Sequence, residues 1–158
     1  MSALTRLPFD FPGAVYRSPM PLGPYDPHQE LLEEFGAAKI DLVVMLSAEG
    51  EDQRLTGQDL AARYARAGME TVKLPIADFT TPERADLAGV LEQIQSAAAA
   101  GKNVVVHCSA GVGRTGLVIA CLAKQALGLD GEAAIRWVRA AIPNAVETEA
   151  QQEFVYAY

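Results

Sequence analysis

Short apolar segments alternate along the chain with longer segments of helical periodicity. Three short segments, rich in β-branched and apolar residues, are typical of buried strands: 41–46, 71–76 and 103–107. Helical spacing, or a closing glycine, predicts helices over 28–38, 57–68, 82–100, 113–127 and 131–141, with a last helix beginning near Thr148. The alternation predicts an α/β fold whose central, mostly parallel sheet is flanked by helices.

The first 27 residues differ from the rest because they contain six of the nine prolines. Proline lacks a backbone N–H and restricts φ, so this segment is predicted to be an irregular arm with one short strand near 14–16. The arm is expected to pack on the surface, or else to form a wall of a binding cleft. No repeat, low-complexity tract or linker is evident, so residues 1–158 are predicted to form a single domain.

Composition narrows the class of protein. Half of the residues are hydrophobic and 21% are charged, which is typical of a globular chain and excludes a disordered one. Acidic residues outnumber basic ones 20 to 13, for a net charge of −7. Such a surface disfavours nucleic acid and anionic membranes, and the charge by itself also argues against a phosphorylated ligand.

Cysteine and histidine are scarce. Cys108 and Cys121 are too few for a disulfide framework, and with only His28 and His107 beside them a zinc site is not expected, so no metal or cofactor is predicted. The N-terminus lacks the apolar stretch of a signal peptide, and no apolar run approaches the roughly 20 residues of a membrane span. These features predict a soluble, cytoplasmic protein without membrane insertion.

The most informative segment runs from an apolar strand through a glycine-containing loop into a helix. Backbone N–H groups of residues 109–113, namely Ser109, Ala110, Gly111, Val112 and Gly113, are directed together at the helix N-terminus, which predicts an anion site. The glycine spacing also matches a dinucleotide fingerprint. That alternative requires a strand after the helix, and the segment before Asp130 is too short for one.

Cys108 and Arg114 delimit this loop with the spacing Cys-x5-Arg. A loop of this length can direct a thiolate, a guanidinium and several amides at one phosphate-sized centre. The thiolate is a nucleophile, and the planar guanidinium binds two phosphoryl oxygens at once. The pair therefore predicts nucleophilic attack on a phosphate ester.

The full string HCSAGVGRTG, residues 107–116, resembles the signature of the cysteine-dependent protein tyrosine phosphatase superfamily. The segment Pro-Ile-Ala-Asp, residues 75–78, is most similar to the kinase-associated phosphatases of the dual-specificity branch. The resemblance implies Cys108 as nucleophile, residues 109–114 as phosphate loop, and Asp78, 30 residues before Cys108, as general acid. In the alternative interpretation, Asp78 only caps a turn before the next helix. Asp86 is then the reserve candidate for the general acid.

The same resemblance assigns supporting roles. Thr115 would stabilise the departing thiolate, His107 would orient the loop and tune the thiol, and Gln151 matches a glutamine beside the active site. Glu147 stands where the larger tyrosine-specific phosphatases place a glutamine that positions water, which leaves water positioning open. Arg17 is interpreted as structural. Cys121 is interpreted as a small buried hydrophobic residue, with a resolving thiol as the alternative.

The implied function is a metal-independent phosphoprotein phosphatase acting on phosphotyrosine, and in a shallow cleft on phosphoserine or phosphothreonine, through a cysteinyl-phosphate. The partner would be a phosphorylated protein or peptide, while the oligomeric state is not specified. Three alternatives remain: a catalytically weak phosphopeptide-binding module, a redox sensor that uses Cys108, and a phosphoinositide phosphatase. The last is disfavoured because the loop lacks the lysines that such enzymes bring.

Overall fold

A computed structural model describes residues 3–158 and contains a five-stranded sheet. The strands are β1 (Thr5–Leu7), β2 (Val15–Ser18), β3 (Leu42–Met45), β4 (Glu70–Lys73) and β5 (Val104–His107). Their spatial order is β1-β2-β5-β3-β4, so β5 occupies the centre. Only β1 runs antiparallel to its neighbour, and the other pairs are parallel.

Seven helices lie within the described residues. They are α1 (Leu31–Ala37), α2 (Glu51–Thr56), α3 (Leu60–Arg66), α4 (Arg84–Ala99), α5 (Gly113–Leu127), α6 (Gly131–Ala141) and α7 (Glu149–Ala157). Helix α5 is buried along most of its length and packs against α4, α6 and α7.

The two central strands are apolar throughout because both of their faces are covered. Successive side chains of a strand point to opposite faces. Val44 and Val106 accordingly join one apolar cluster with α4 to α7, whereas Val43 and Val105 join a second cluster with residues of α1 and α3. Burial on both faces is the general condition of parallel sheets.

The predicted α/β fold is confirmed, and α5 and α6 have the predicted bounds. The arm, predicted to contain one strand near 14–16, instead forms two, and the second extends to Ser18. Helix α2 was not predicted, because six residues between two left-handed glycines show no periodicity. Helix α3 begins at Leu60 rather than at 57, because Asp59 caps it by accepting a hydrogen bond from the Ala62 amide.

Gly13 lies where the arm crosses the turn before β5. Its amide donates to the carbonyl of Ala98, and a Cβ at this position would overlap the backbone carbonyl of Lys102. The close approach of two backbones therefore requires glycine here.

We expect Gly13→Ala to lower the free energy of unfolding by about 2–3 kcal/mol, because the added methyl meets backbone that cannot yield. Gly89→Ala is the matched control: Gly89 lies at an exposed position of α4 with no atom near its Cβ position, so alanine should stabilise the helix by about 0.5–1 kcal/mol. Urea unfolding measures both. Equal effects of the two changes would contradict the packing argument.

Candidate active site

The candidate site lies at the carboxyl ends of the parallel strands. Cys108 follows β5, Asp78 follows β4, Glu51 follows β3 and Tyr25 follows β2. Loops that leave one edge of a parallel sheet converge there, which is why ligands of open α/β sheets bind at this edge. Residues far apart in the sequence are thereby brought together.

The loop between β5 and α5 surrounds the thiol of Cys108, which is 2% exposed. The amide of Gly111 donates a hydrogen bond to Sγ at 3.2 Å, and α5 begins two residues later, at Gly113. An amide donor and a nearby helix N-terminus both stabilise negative charge on sulfur. The local geometry therefore suits a thiolate nucleophile.

Arg17, at the end of β2, holds the outer side of this loop. Its Nη2 donates to the carbonyls of Gly111 at 2.6 Å and Ala110 at 3.2 Å, and Nε also donates to Gly111 at 3.0 Å. The carbonyl of Ser109 accepts from the amide of Met20 at 2.8 Å. Three consecutive carbonyls thus accept hydrogen bonds from Arg17 of β2 and from Met20, two residues beyond that strand. This geometry agrees with the structural role predicted for Arg17.

The guanidinium of Arg114 is buried and paired with a carboxylate that the sequence analysis missed. Its Nη1 and Nη2 donate to the two oxygens of Glu51 at 2.9 and 3.0 Å, and Nη1 also donates to the carbonyl of Ile76 at 2.9 Å. Burial by itself would raise the pKa of Glu51, but the hydrogen bonds from Arg114 outweigh it and lower that pKa. Nε of Arg114 is buried and has no hydrogen-bond partner among residues 3–158, so one donor of the guanidinium is unsatisfied.

Asp78 lies in the loop after β4 and points at Arg114. Its Oδ1 is 3.3 Å from Nη2 of Arg114 and also accepts from the amide of Phe79 at 3.0 Å. The carboxylate is half exposed, at 49%, so it can exchange protons with solvent. Asp86, the reserve candidate, lies in the first turn of α4, away from this contact.

A cavity of about 80 Å³ opens above the thiol. Two of its walls are exposed aromatic rings, Tyr25 from the arm and Phe79 from the Asp78 loop, each 58% exposed. The remaining lining residues are Asp78, Cys108, Ser109, Ala110, Gly113 and Glu147. The N-terminal arm therefore contributes a wall of the cleft through Tyr25, which was one of the two roles expected for it from the sequence.

His107 is fully buried beneath the loop. Its Nδ1 lies 3.1 Å from the carbonyl of Cys108, and its Nε2 lies 2.8 Å from the hydroxyl of Tyr64. Because a carbonyl can only accept, Nδ1 carries the proton and Nε2 accepts from Tyr64. Burial lowers the pKa of His107 to about 4, so the ring is neutral at pH 7 and its hydrogen bond to the Cys108 carbonyl brings no charge to the loop.

The other supporting residues differ in what they contact. The hydroxyl of Thr115 is buried without a partner among residues 3–158, so it has a hydrogen bond to offer. The side chain of Gln151 is engaged in the capping box of α7 with Thr148, and its Nε2 donates to the carbonyl of Thr80 at 3.3 Å. Gln151 therefore joins α7 to the Asp78 loop.

Cys121 is fully buried, and burial raises the pKa of its thiol to about 12. A protonated thiol at neutral pH is a poor resolving nucleophile. This geometry agrees with the interpretation of Cys121 as a buried hydrophobic residue. Within residues 3–158, no group of three or more His, Cys, Asp or Glu side chains could hold a metal ion, and no helix has the length and apolarity to cross a bilayer.

Comparison with known proteins places the chain in a family. A family model described as "Polymorphic toxin system, DSP-PTPase phosphatase" matches residues 22–126, more than half of the chain. The chain therefore belongs to this dual-specificity-type branch of the cysteine phosphatases, which confirms the resemblance drawn from residues 75–78 and 107–116.

Individual relatives agree. Tyrosine-protein phosphatase cdc-14 of Caenorhabditis elegans is 28% identical over 123 residues, which is 78% of this chain but 16% of the relative's length. The crystal structure of Tk-PTP in the active form is 32% identical, covers 97% of this chain and 95% of its own, and has a TM-score of 0.80. Kinase associated phosphatase, at 22% identity with 97% and 91% covered, shares the fold with a TM-score of 0.88.

The depressed pKa of His107 predicts a pH dependence of stability. Between the ordinary value of 6.5 and about 4, the unfolded chain binds a proton at His107 that the folded chain does not. Stability should therefore fall as the pH is lowered through this window, by up to about 3 kcal/mol from this group. Urea unfolding at pH 7 and pH 4.5 measures the loss.

His107→Asn should remove most of that pH-dependent difference, whatever it does to stability at pH 7. His28→Gln, on an exposed loop, is the control. The prediction fails if the His107→Asn variant and the wild-type chain lose the same free energy of unfolding over this window.

Proposed function

We propose that this chain is a metal-independent phosphatase that hydrolyses phosphate monoesters of proteins through a cysteinyl-phosphate intermediate. The observation that carries the proposal is that Cys108 and Asp78 both line one cavity, and that the Asp78 carboxylate lies 3.3 Å from the buried guanidinium of Arg114. A nucleophile, an oxyanion clamp and a proton donor are the three groups that such a reaction needs.

In the first half-reaction, the thiolate of Cys108 attacks phosphorus in line with the ester oxygen. The S–P bond forms as the P–O bond breaks, and the protonated carboxyl of Asp78 transfers its proton to the leaving oxygen. The amides of residues 109–113 and the free Nε of Arg114 bind the equatorial oxygens, on which charge is distributed in the transition state. Water then hydrolyses the S–P bond and returns the thiolate.

The cavity wall supports an aromatic phosphoester, phosphotyrosine, as the preferred substrate. The rings of Tyr25 and Phe79 stand exposed at its rim, where a phenyl ring attached to the bound phosphate would contact them. The cavity is small and open enough that phosphoserine and phosphothreonine also fit the proposal. Because this chain has a net charge of −7, it favours substrates with neutral or basic residues around the phosphate.

The phosphoinositide alternative has less support, since no lysine is among the residues that line the cavity. A purely phosphopeptide-binding role is also less supported, because Cys108, Arg114 and Asp78 are all present. A phosphorylated cytoplasmic protein or peptide is thus the proposed partner.

Cys108→Ser should abolish release of phenol from a generic aryl phosphate, assayed with a chelator present, and from a phosphotyrosyl peptide, because a serine hydroxyl is a far weaker nucleophile at neutral pH. Peptide binding should persist, since the loop amides and Arg114 remain. Cys121→Ala is the matched cysteine control and should retain activity. Turnover by the Cys108→Ser variant, or no phosphoenzyme trapped from the wild-type chain by rapid quench, would overturn the mechanism.

Asp78→Asn should lower kcat for an alkyl or unactivated aryl phosphate by roughly 10²–10⁴-fold, because the leaving oxygen loses its proton donor. With an aryl phosphate whose phenol is strongly acidic, the loss should be much smaller, since such an oxygen departs unprotonated. Asp86→Asn, in the first turn of α4, is the control. An equal loss for both leaving groups would show that Asp78 is not the acid.

A further inference from the structure

Arg17 is a partly buried cation without a carboxylate partner. Within residues 3–158, no Asp or Glu oxygen lies within 4.0 Å of its guanidinium. The four hydrogen bonds that it donates all go to backbone carbonyls, and three of them go to the loop between β5 and α5. Burial lowers the pKa of Arg17, and the negative charge of a Cys108 thiolate opposes that shift. Because burying a charge without a counter-charge is unfavourable, the contacts to the loop need a reason beyond packing.

The carbonyls that Arg17 holds determine the direction of the amides on the opposite side of the loop. In a planar trans peptide unit, the C=O of one residue and the N–H of the next point in opposite directions. The carbonyl of Ala110 therefore fixes the N–H of Gly111, and the carbonyl of Gly111 fixes the N–H of Val112. Since both carbonyls accept hydrogen bonds from Arg17, both N–H groups point away from the guanidinium.

One peptide unit connects the cation directly to the nucleophile. The carbonyl of Ala110 accepts from Arg17 at 3.2 Å, and the N–H at the other end of the same unit, on Gly111, donates to Sγ of Cys108 at 3.2 Å. Gly111 has a φ of +75°, and a Cβ there would overlap the carbonyl of Ser18 and the guanidinium of Arg17. Glycine therefore permits the loop to lie this close to Arg17.

The preceding peptide unit is held by a different donor. The carbonyl of Ser109 accepts from the backbone amide of Met20 at 2.8 Å, so the N–H of Ala110 is oriented without the Arg17 side chain. Loss of the guanidinium should therefore release the amides of Gly111 and Val112 and leave that of Ala110 in place. This difference provides a comparison within one loop.

Backbone amides stabilise an oxyanion best when they are directed at it before it arrives. A peptide unit that is free to rotate can instead turn its carbonyl inward, where it would repel a phosphoryl oxygen. We infer that Arg17 is a positioning residue of the phosphate site, which keeps the amides of Gly111 and Val112 directed at the phosphoryl oxygens. The inference rests on the proposed function and adds to it a residue that does not line the cavity.

Titration calorimetry with tungstate, a tetrahedral oxyanion that cannot be hydrolysed, tests this role on the folded chain without requiring turnover. Arg17→Met should weaken tungstate binding about 10–100-fold, because two amide donors to a charged ligand are no longer held in place. Arg17→Lys should give an intermediate affinity, since an ammonium keeps the charge but lacks the planar fork of donors. Arg6→Met is the matched control and should bind as the wild-type chain does, because Arg6 is exposed on the neighbouring strand β1 and its removal changes the net charge equally.

Amide NMR at saturating tungstate distinguishes positioning from a purely structural role. In the wild-type chain, the amide protons of Ala110, Gly111 and Val112 should all shift downfield when the anion binds. In both Arg17 variants the shifts of Gly111 and Val112 should decrease, while the shift of Ala110 persists. A purely structural role would lower the free energy of unfolding without this selective loss.

Wild-type affinity in Arg17→Lys, or in Arg17→Met, would overturn the inference and leave the proposed function intact. An equal loss of all three amide shifts in the lysine variant, which retains the charge and the aliphatic stem, would also overturn it, because the whole loop would then have changed. If the wild-type chain binds no tungstate, the inference and the phosphate site of the proposed function both fail. The expected binding pattern without a trapped phosphoenzyme would support the inference and overturn only the catalytic step.

Discussion

The buried ion pair between Arg114 and Glu51 connects the elements that form the cavity. Arg114 lies in the first turn of α5, Glu51 begins α2, and the same guanidinium reaches the carbonyl of Ile76 in the loop that carries Asp78. Removing one partner of such a pair leaves an uncompensated buried charge, which costs about 3–5 kcal/mol. The pair therefore joins α2 and α5 to the loop that carries Asp78, while Nε of Arg114 has no hydrogen-bond partner among residues 3–158.

The positive potential of the site is local, and the net charge of −7 does not describe it. The amides of the loop, the N-terminus of α5 and one guanidinium supply it within a small volume. Three carboxylates lie around them. Glu51 is paired with Arg114, Asp78 lies 3.3 Å from it, and the exposed Glu147 side chain has no ion-pair partner among residues 3–158. The acidic surface favours substrates with neutral or basic residues around the phosphate, whereas the loop between β5 and α5 provides the binding groups for the phosphate itself.

Some helices and strands could be predicted from the sequence pattern and others could not, for physical reasons. Helices α5 and α6 were predicted with their observed bounds because glycine precedes or follows them and their periodicity extends over several turns. Strand β1 and helix α2, with three and six residues, are too short for periodicity to appear. Strand β1 forms because its backbone pairs with β2 in antiparallel register, and that contact is absent from any local pattern.

The sequence by itself was enough to predict residues 107–116 as the candidate nucleophile loop, because they are contiguous and the spacing of Cys108 and Arg114 carries its own chemistry. It also indicated Asp78, through the distance along the chain and the resemblance that followed. Only the tertiary structure revealed the Glu51 pair, the place of Glu147 in the cavity lining and the two aromatic walls. These residues come from separate loops, and they meet because parallel strands end at one edge of the sheet, a juxtaposition that no spacing along the chain records.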